Sequence, residues 1–501
     1  MAVEMSASRL LGNYFGSSNL VWAVIIGLTL IYLSVGYSLG GRWADRSPYL
    51  QTFFSILCWA SLLIGLIPLA ARPILRMASQ AFDNMQVGIM LGTLLAVLAL
   101  FSLPITLLGT ASPFAMRIAL QEKENAGKLT GLIYTLSTLG SFIGTFIPVL
   151  LLVPAIGTYR TFVSISAGLM MVALVCLWRT VDLKTALRFG WMPVLLLIAS
   201  LVGLRGYDKQ ARGIIYEGES AYNYIQVQEI NDYRLLRLNE GQGVHSIYHP
   251  TQDNFKGSWE MVLAAPFFQS APVTRDQIKQ VAFLGLAAGT SARQVHQVFP
   301  QAQMDGIEID PEIVQIGYDL FEMDVPNLQV KIEDARWSLA RTKTQYDLIS
   351  IDAYRPPYIP WHLTTREFFQ LTFDRLTPTG SLVINVARIL DDRRLVDSLY
   401  TTIRSVYPSV YVVDIPDTLN SIIFATQAPT RQENLISNYV ALSDSGDAPA
   451  LLMSTLETSI LNLQPEPQGG TLFTDDHAPL EWITNAMILG LFQTDQLEAL
   501  Q

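Results

Sequence analysis

The spacing of apolar residues divides the chain into two regions. From Leu20 to about Leu204 the apolar runs are nearly continuous, whereas after Arg205 they become short and alternate with polar positions. Five runs, at 20–39, 50–71, 87–109, 131–154 and 161–178, reach the length of about 20 residues that a helix needs to cross hydrocarbon. The pattern predicts a transmembrane helical domain over residues 1–205, with the lipid bilayer as its partner.

The side of the membrane that holds the second region depends on residues 191–204. This run is apolar but short, at a length where a crossing helix and an interfacial one cannot be distinguished. Basic residues cluster in alternate connections, which the positive-inside rule assigns to the cytoplasm. A crossing helix would put the second region on the far side, and an interfacial helix would keep it inside. Both alternatives stay open at this stage.

The first residues form an unusual segment. Residues 2–16 are too short for a span and lack the order of a signal peptide, so we expect the second half of a membrane helix. Glu4 and Arg9 are ionisable groups near membrane depth, which favours a transport role unless both lie at the interface. Small residues and prolines within the spans are typical of close helix packing and kinks; they are Gly36, Gly40, Pro104, Gly140, Gly144 and Pro148.

Short alternating segments follow Arg212. Those at 213–217, 222–229, 233–238 and 243–248 predict a small antiparallel β domain over residues 212–270, suited to a lid or to a homodimer through the soluble half. From Ile278 strands and helices take turns, with strands at 280–286, 303–309, 330–332, 346–351 and 380–385. This rhythm predicts a Rossmann-like, class I methyltransferase-like α/β domain over residues 275–501, built on a parallel sheet.

Composition excludes some classes of function. A formal net charge of −10 disfavours a nucleic-acid partner, because phosphate binding requires a basic surface. Cys58 and Cys176 lie within apolar runs, and the histidines are scattered without ligand spacing, so no metal site is expected.

Glycine or acidic residues stand at the ends of four successive predicted strands. Gly285 and Gly289 would let the first turn approach a ligand closely. Glu308 ends the next strand, where acids in nucleotide-binding folds accept both ribose hydroxyls. Asp334 lies where an adenine amino group would arrive, and Asp352 faces the reaction centre. Together they predict an adenosyl-binding site.

Several motifs carry a resemblance to a known family. They are the basic loop Gly40-Gly-Arg-Trp-Ala-Asp45-Arg46, the hairpin Glu219-Ser-Ala-Tyr222-Asn-Tyr-Ile-Gln226-Val and the closing Thr474-Asp-Asp-His-Ala-Pro479-Leu-Glu481. With the strand-end residues, the chain resembles the spermidine synthase family of aminopropyltransferases, in its bacterial form fused to a multi-helix membrane domain. The resemblance implies a multi-pass protein of the bacterial inner membrane. It also implies decarboxylated S-adenosylmethionine as co-substrate and an amine such as putrescine as acceptor.

The resemblance also implies roles for single residues. Glu308 would hold ribose, and Asp334 with Ala335 would hold adenine. Asp352 would be either the base or the orienting carboxylate for the attacking amine. The expected acceptor-binding residues come from the hairpins and from the loop after the fourth strand; they are Tyr222, Gln226, Tyr354 and Arg355. Asp475 and Asp476 either cap the C-terminal segment or close the site.

Four residues depart from the family pattern. Ala288 and Arg355 stand where soluble synthases carry aspartates, and Ser258-Trp259 replaces their Tyr-His pair. The cation Arg355 is unfavourable beside a positively charged diamine. The absence of an acid at Ala288 removes a repulsion that would act on the carboxylate of intact S-adenosylmethionine. Two further hypotheses therefore stay open: a methyltransferase-like enzyme using S-adenosylmethionine, and a non-catalytic nucleoside-binding sensor or transport protein.

Overall fold

The computed structural model describes residues 1–15, 19–85, 89–120, 126–203, 209, 211–239, 243–354, 358–389 and 392–491. The chain forms two compact units. The first comprises Met1–Ala211 and Glu217–Tyr224, and the second comprises Arg212–Tyr216 and Ile225–Gln501. Among the predicted features, the start of the span at Val87 and the acceptor-loop residue Arg355 lie outside the described residues.

The first unit is helical. Its helices are α1 (Ala2–Phe15), α2 (Asn19–Arg46), α3 (Leu50–Met85), α4 (Ile89–Ala119), α5 (Ala126–Ile147), α6 (Val153–Ile156), α7 (Thr158–Thr180), α8 (Leu183–Arg188) and α9 (Trp191–Gly203). Six stretches in the described residues are long and apolar enough to cross a membrane: Val21–Arg46, Leu50–Met77, Gly92–Ala119, Ala126–Ile156, Thr158–Thr180 and Leu183–Leu201. The sixth runs through α8 and α9, so the short predicted run at 191–204 is part of a longer apolar stretch.

Glycines bring α2 and α4 into close contact. A Cβ added to Gly36 would overlap the carbonyl oxygen of Thr106, and one added to Gly40 would lie 2.6 Å from the Cα of Thr110. Both glycines therefore act as predicted, by letting two helix backbones approach. Gly140 differs, because an added Cβ there would meet no heavy atom within 4 Å. None of the residues of α5, where Gly140 lies, is buried.

Arg9 makes contacts within the first unit that suit a structural role. Its guanidinium donates hydrogen bonds to the carbonyl oxygens of Ser220 and Tyr222. In the same unit, the Glu219 carboxylate accepts hydrogen bonds from the Thr158 backbone and hydroxyl at 3.2 and 2.6 Å. These contacts favour a structural role for Arg9 over the transport hypothesis.

A small four-stranded sheet precedes the α/β fold, as the alternating pattern predicts. Its strands β1 (Ile214–Glu219), β2 (Tyr224–Ile230), β3 (Tyr233–Leu238) and β4 (Val244–Tyr248) lie in sequential order. β3 pairs antiparallel with both β2 and β4. Ile225, Val227 and Leu236 form one apolar face, which packs with Ile313 and Ile316.

A seven-stranded sheet forms the centre of the second unit. Its strands are β5 (Gln280–Leu284), β6 (Gln303–Glu308), β7 (Leu328–Ile332), β8 (Tyr346–Ile351), β9 (Leu376–Ala387), β10 (Ser409–Asp414) and β11 (Asn420–Thr426), in the order β10-β11-β9-β8-β5-β6-β7. The strands from β7 to β9 in this order are parallel, as predicted. The hairpin β10–β11 is an addition to the prediction, and because β11 is antiparallel to its neighbours the sheet is mixed.

Helices cover both faces of this sheet. They are α10 (Thr290–Val298), α11 (Pro311–Leu320), α12 (Ala335–Arg341), α13 (Arg366–Asp374), α14 (Arg394–Arg404), α15 (Glu433–Ser445), α16 (Ala450–Leu461) and α17 (Leu480–Leu491). One apolar core contains residues of α10, α15 and α16, and a second contains residues of α12, α13 and α14. The strand order reverses direction at β5, so the carboxyl ends of β5 and β8 border the crevice where such sheets bind ligands.

Candidate active site

A glycine turn links β5 to α10. Gly285 and Gly289 have φ angles of 94° and 83°, in the left-handed region that favours glycine. A Cβ added to Gly285 would lie 2.5 Å from the carbonyl oxygen of Asp352, and one on Gly289 would lie 2.6 Å from Cγ of Met323. Close contacts with protein atoms are therefore enough to explain why both positions are glycine. That the turn also approaches a ligand closely stays a prediction.

Glu308 lies at the end of β6 and is joined to this turn. Its Oε2 accepts the backbone N–H of Ala287 at 2.9 Å, and its Oε1 accepts that of Asp310 at 3.1 Å. The residue is only 8% exposed. Burial raises the pKa of Glu308 to about 7, although the backbone donors act in the opposite direction. The carboxyl group is therefore held rigidly and changes charge near neutral pH.

Asp334 forms the N-cap of α12. Its side chain accepts the backbone N–H of Trp337 at 2.9 Å, in the manner of Asp caps. Its other oxygen, Oδ2, lies 3.1 Å from Nε2 of His362. Ala335 begins the helix and is 8% exposed. A carboxylate oxygen has two lone pairs, so Oδ2 can accept a second donor beside His362.

Asp352 directly follows β8 and is partly buried. Its Oδ1 accepts a hydrogen bond from Nδ2 of Asn385 at 3.0 Å, and Nδ2 of Asn420 donates to Oδ1 of Asn385 at 2.7 Å. This second bond fixes which end of the Asn385 amide faces Asp352. Burial raises the pKa of Asp352 to about 6, against the effect of Asn385. Such a carboxyl group can take a proton near neutral pH.

Two tyrosines anchor the chain that follows Asp352. The Tyr354 hydroxyl donates to the carbonyl oxygen of Asn385 at 3.1 Å and accepts the N–H of Ala387 at 2.8 Å. The Tyr358 hydroxyl donates to Oδ1 of Asn485 at 2.5 Å. The hydroxyl of Tyr354 is therefore bound to the backbone of β9, which fixes the position of its ring.

The other expected acceptor-binding residues have different surroundings. Tyr222 belongs to the first unit and is 43% exposed. Gln226 on β2 is 4% exposed, and its Oε1 accepts Nε2 of Gln228 at 2.9 Å. Nε of Arg237 donates to Oε1 of Gln228 at 3.2 Å. Gln226 thus lies in a cluster that contains amides and a cation.

Two of the residues that depart from the family pattern, Ala288 and Trp259, are integrated into the packing. Ala288 is fully buried, and its N–H donates to Oγ of Ser246 at 2.9 Å. Nε1 of Trp259 donates to the carbonyl oxygen of His245 at 3.3 Å. In the parts of the chain that the structure describes, no group of three or more His, Cys, Asp or Glu side chains is arranged to hold a metal.

Several residues of this network were not singled out from the sequence. Asn385 is the last residue of the predicted strand 380–385, so the strand-end rule that selected Asp352 could also have selected it. Asn420 and His362 gave no comparable signal, because their partners Asn385 and Asp334 are distant in sequence.

Three kinds of comparison relate this chain to known proteins. A family model described as spermine/spermidine synthase domain matches residues 260–438. A probable polyamine aminopropyl transferase of Bifidobacterium longum (strain NCC 2705) is 29% identical over 310 residues, which are 59% of this chain and 66% of the relative. A human eEF1A lysine and N-terminal methyltransferase is 26% identical over 162 residues, 30% of this chain and 23% of that protein. Among solved structures, a probable spermidine synthase from Corynebacterium glutamicum ATCC 13032 is similar with a TM-score of 0.42 and 23% identity, covering 53% of this chain and 97% of that one.

One relative matches over nearly its whole length. The polyamine aminopropyltransferase of Vibrio vulnificus (strain CMCP6) is 30% identical over 296 residues, which are 56% of this chain and 92% of the relative. The matched family domain also contains the strand ends that carry Glu308, Asp334 and Asp352. The chain therefore belongs to the spermidine synthase family of polyamine aminopropyltransferases.

Proposed function

We propose that this protein transfers an aminopropyl group from decarboxylated S-adenosylmethionine to an amine. The observation that carries the proposal is Asp352, a partly buried carboxyl group with a pKa raised to about 6, held by Asn385 beside the glycine turn. A base for an ammonium group needs such a position and a pKa near the working pH. The family to which the chain belongs adds support, since its members are aminopropyltransferases.

The donor would lie along the carboxyl ends of β5, β6 and β7. Glu308 would accept the two ribose hydroxyls, since its carboxylate retains lone pairs beyond those used by the Ala287 and Asp310 N–H groups. Asp334, at the start of α12 beside Ala335, would accept the 6-amino group of adenine. This arrangement would place the sulfonium toward the end of β8, where Asp352 lies.

The chemical step requires a neutral amine aligned with a carbon–sulfur bond. Asp352 takes a proton from the acceptor ammonium, which frees the nitrogen lone pair. That nitrogen attacks the propyl carbon bound to the sulfonium while the carbon–sulfur bond breaks and its electron pair passes to sulfur. The products are the aminopropylated amine and 5′-methylthioadenosine, and the proton on Asp352 passes to water. Positioning accounts for much of the rate, because sulfonium is already a good leaving group.

The acceptor would be an amine other than a simple diamine. We assign its binding to residues of the second unit, namely Gln226, Tyr354 and Arg355. The Gln226 amide is hydrogen-bonded to Gln228, which accepts a hydrogen bond from Arg237, and a dication gains little from amides and a cation. The first unit would tether the enzyme to the bacterial inner membrane, and the small sheet would support a homodimer.

A methyltransferase using intact S-adenosylmethionine is the second candidate. Soluble synthases carry an acid at the position of Ala288, and that acid would repel the carboxylate of intact S-adenosylmethionine. Ala288, which is fully buried, removes this repulsion and so favours the second candidate. The similarity to the human eEF1A lysine and N-terminal methyltransferase points in the same direction.

The test uses the full chain in detergent micelles. Purified protein is incubated with decarboxylated or intact S-adenosylmethionine and a panel of amines, and products are identified by mass spectrometry. We expect aminopropylated products with the decarboxylated donor, and their loss with retained donor binding in Asp352→Asn. Asp319→Asn, an exposed acid on α11, is the matched control and should keep full activity.

Other outcomes would contradict the proposal. Methylated products with intact donor would establish the second candidate. Donor binding without transfer to any amine would support the sensor hypothesis instead. If Asp352→Asn kept its turnover, Asp352 would not be the base.

A further inference from the structure

A C-terminal segment outside the matched family domain contacts the adenine side of the site. The segment is residues 473–477, here called the C-terminal latch. Phe473 is fully buried, its N–H donates to Oγ1 of Thr402 at 3.0 Å, and its carbonyl oxygen accepts the N–H of Arg366 at 2.9 Å. These contacts anchor the latch to α13 and α14 without using the side chain of Asp475.

Asp475 forms the polar centre of the latch. Its two carboxylate oxygens accept NH1 and NH2 of Arg336 at 2.8 and 2.6 Å, a two-point ion pair. Oδ1 also accepts the hydroxyl of Thr365 at 2.7 Å, and the Asp475 N–H donates to Oε2 of Glu367 at 2.9 Å. Hydrogen bonding from Arg336 lowers the pKa of Asp475, so the carboxylate stays charged.

Arg336 connects the latch to the carboxyl group that we assign to adenine. It lies on the first turn of α12, two residues after Asp334, and its NH1 also donates to the carbonyl oxygen of His362 at 3.0 Å. The ring of His362 in turn lies 3.1 Å from Oδ2 of Asp334. Four residues therefore form a continuous path from the latch to Asp334: Asp475, Arg336, His362 and Asp334.

We propose that Asp475 and Arg336 are positioning residues for adenine recognition. They hold the backbone of His362 and thereby fix the position of its ring, which orients Oδ2 of Asp334. The other oxygen of Asp334, Oδ1, accepts the N–H of Trp337 in the helix cap. The free lone pair of Oδ2 then points to the 6-amino group of the donor. This inference rests on the proposed function, because it assumes that Asp334 binds adenine. It assigns a role in specificity to a segment beyond residue 438, where the family match ends.

The experiment measures binding of two nucleosides to the full chain in detergent micelles by calorimetry. The probes are 5′-methylthioadenosine, the thioether that transfer would leave, and its 6-oxo counterpart 5′-methylthioinosine. In Asp475→Asn we expect the affinity for 5′-methylthioadenosine to fall about tenfold, the effect of losing one charge-assisted contact. The affinity for the 6-oxo compound should not change, because it has no 6-amino group for Asp334 to accept.

Two further variants make the result specific. Asp476→Asn is the matched control, since the neighbouring Asp476 has no hydrogen bond or ion pair in the described part of the chain; both affinities should equal those of the wild type. Arg336→Lys keeps the charge but cannot form the two-point pair. Arg336→Lys should weaken binding of 5′-methylthioadenosine but not of 5′-methylthioinosine, and the loss of affinity should be smaller than in Asp475→Asn. In turnover assays, Asp475→Asn should raise KM for the donor and leave kcat unchanged.

The outcomes separate this inference from the proposed function. One outcome is that the wild-type protein binds 5′-methylthioadenosine while Asp475→Asn lowers the affinity for both nucleosides equally, or for neither of them. In either case the inference is wrong and the proposed function stands. If the wild-type protein binds neither nucleoside, the proposed function is wrong and the inference falls with it. Should Asp475→Asn not fold, the selectivity of Arg336→Lys decides the question in the same way.

Discussion

Replacing Asn385 by leucine should move the pH dependence of the transfer reaction. Asn385 donates the 3.0 Å hydrogen bond to Asp352 that opposes the effect of burial on the pKa of that carboxyl group. Leucine has a similar size but no donor, so the charged form of Asp352 loses its partner. Because Asp352 must be ionised to take a proton, activity falls at acidic pH and recovers at alkaline pH.

The size of the shift follows from the strength of such a bond. A hydrogen bond to a charged group contributes about 1.5–3 kcal/mol, and one pKa unit corresponds to about 1.4 kcal/mol. The pKa of Asp352 should therefore rise from about 6 to roughly 7–8. At pH 7 the ionised fraction would fall from about nine-tenths to between about one-half and one-tenth.

The assay is kcat/KM measured from about pH 5 to about pH 9, roughly a unit below the wild-type pKa and a unit above the shifted one. The acidic limb should move upward by one to two units, with wild-type rates restored at the alkaline end. Ser381→Ala on the same strand is the control, because the buried Ser381 hydroxyl has no hydrogen-bond partner among the described residues. A uniform loss at every pH, with the limb unmoved, would refute a role for Asn385 in tuning Asp352.

Two more predictions concern other parts of the molecule. Gly36→Leu should abolish folding of the helical unit, because the leucine side chain would overlap the Thr106 carbonyl oxygen. The measurement is the loss of monodisperse protein in detergent. Gly140→Leu is the control and should behave like the wild type, because space is open at Gly140. If both variants fold equally well, α2 and α4 do not depend on this contact. The pKa of Glu308 is raised to about 7, so its carboxylate is lost as pH falls through that value. Affinity for 5′-methylthioadenosine should therefore be higher at pH 8 than at pH 6, and equal affinities would show that ribose does not require the charged form.

The sequence was sufficient for features that arise from local periodicity. The apolar runs predicted the membrane-type helices, and the parallel strands up to β9 were found with their strand-end acids. The hairpin β10–β11 was missed, although two apolar segments on either side of Pro416-Asp417 are a recognisable hairpin pattern. The predicted strand 380–385 was also shorter than β9, which begins at Leu376.

Side-chain networks were harder to predict for a physical reason. The pair Asp334–His362 and the pair Arg336–Asp475 join residues that are 28 and 139 positions apart. No periodicity encodes such contacts, because they arise when helices pack on the same face of the sheet. The raised pKa of Asp352 likewise depends on its burial in the folded chain, which no sequence pattern encodes.

The two tyrosine anchors around residues 355–357 have a practical consequence for engineering. Tyr354 is attached to β9 and Tyr358 to α17 through hydrogen bonds of their own. Substitutions confined to residues 355–357 leave the side chains of Tyr354 and Tyr358 unchanged, so both tyrosines keep the groups that make these hydrogen bonds. Libraries of substitutions at residues 355–357 therefore offer a route to new amine selectivity that leaves the proposed nucleoside-binding residues unchanged.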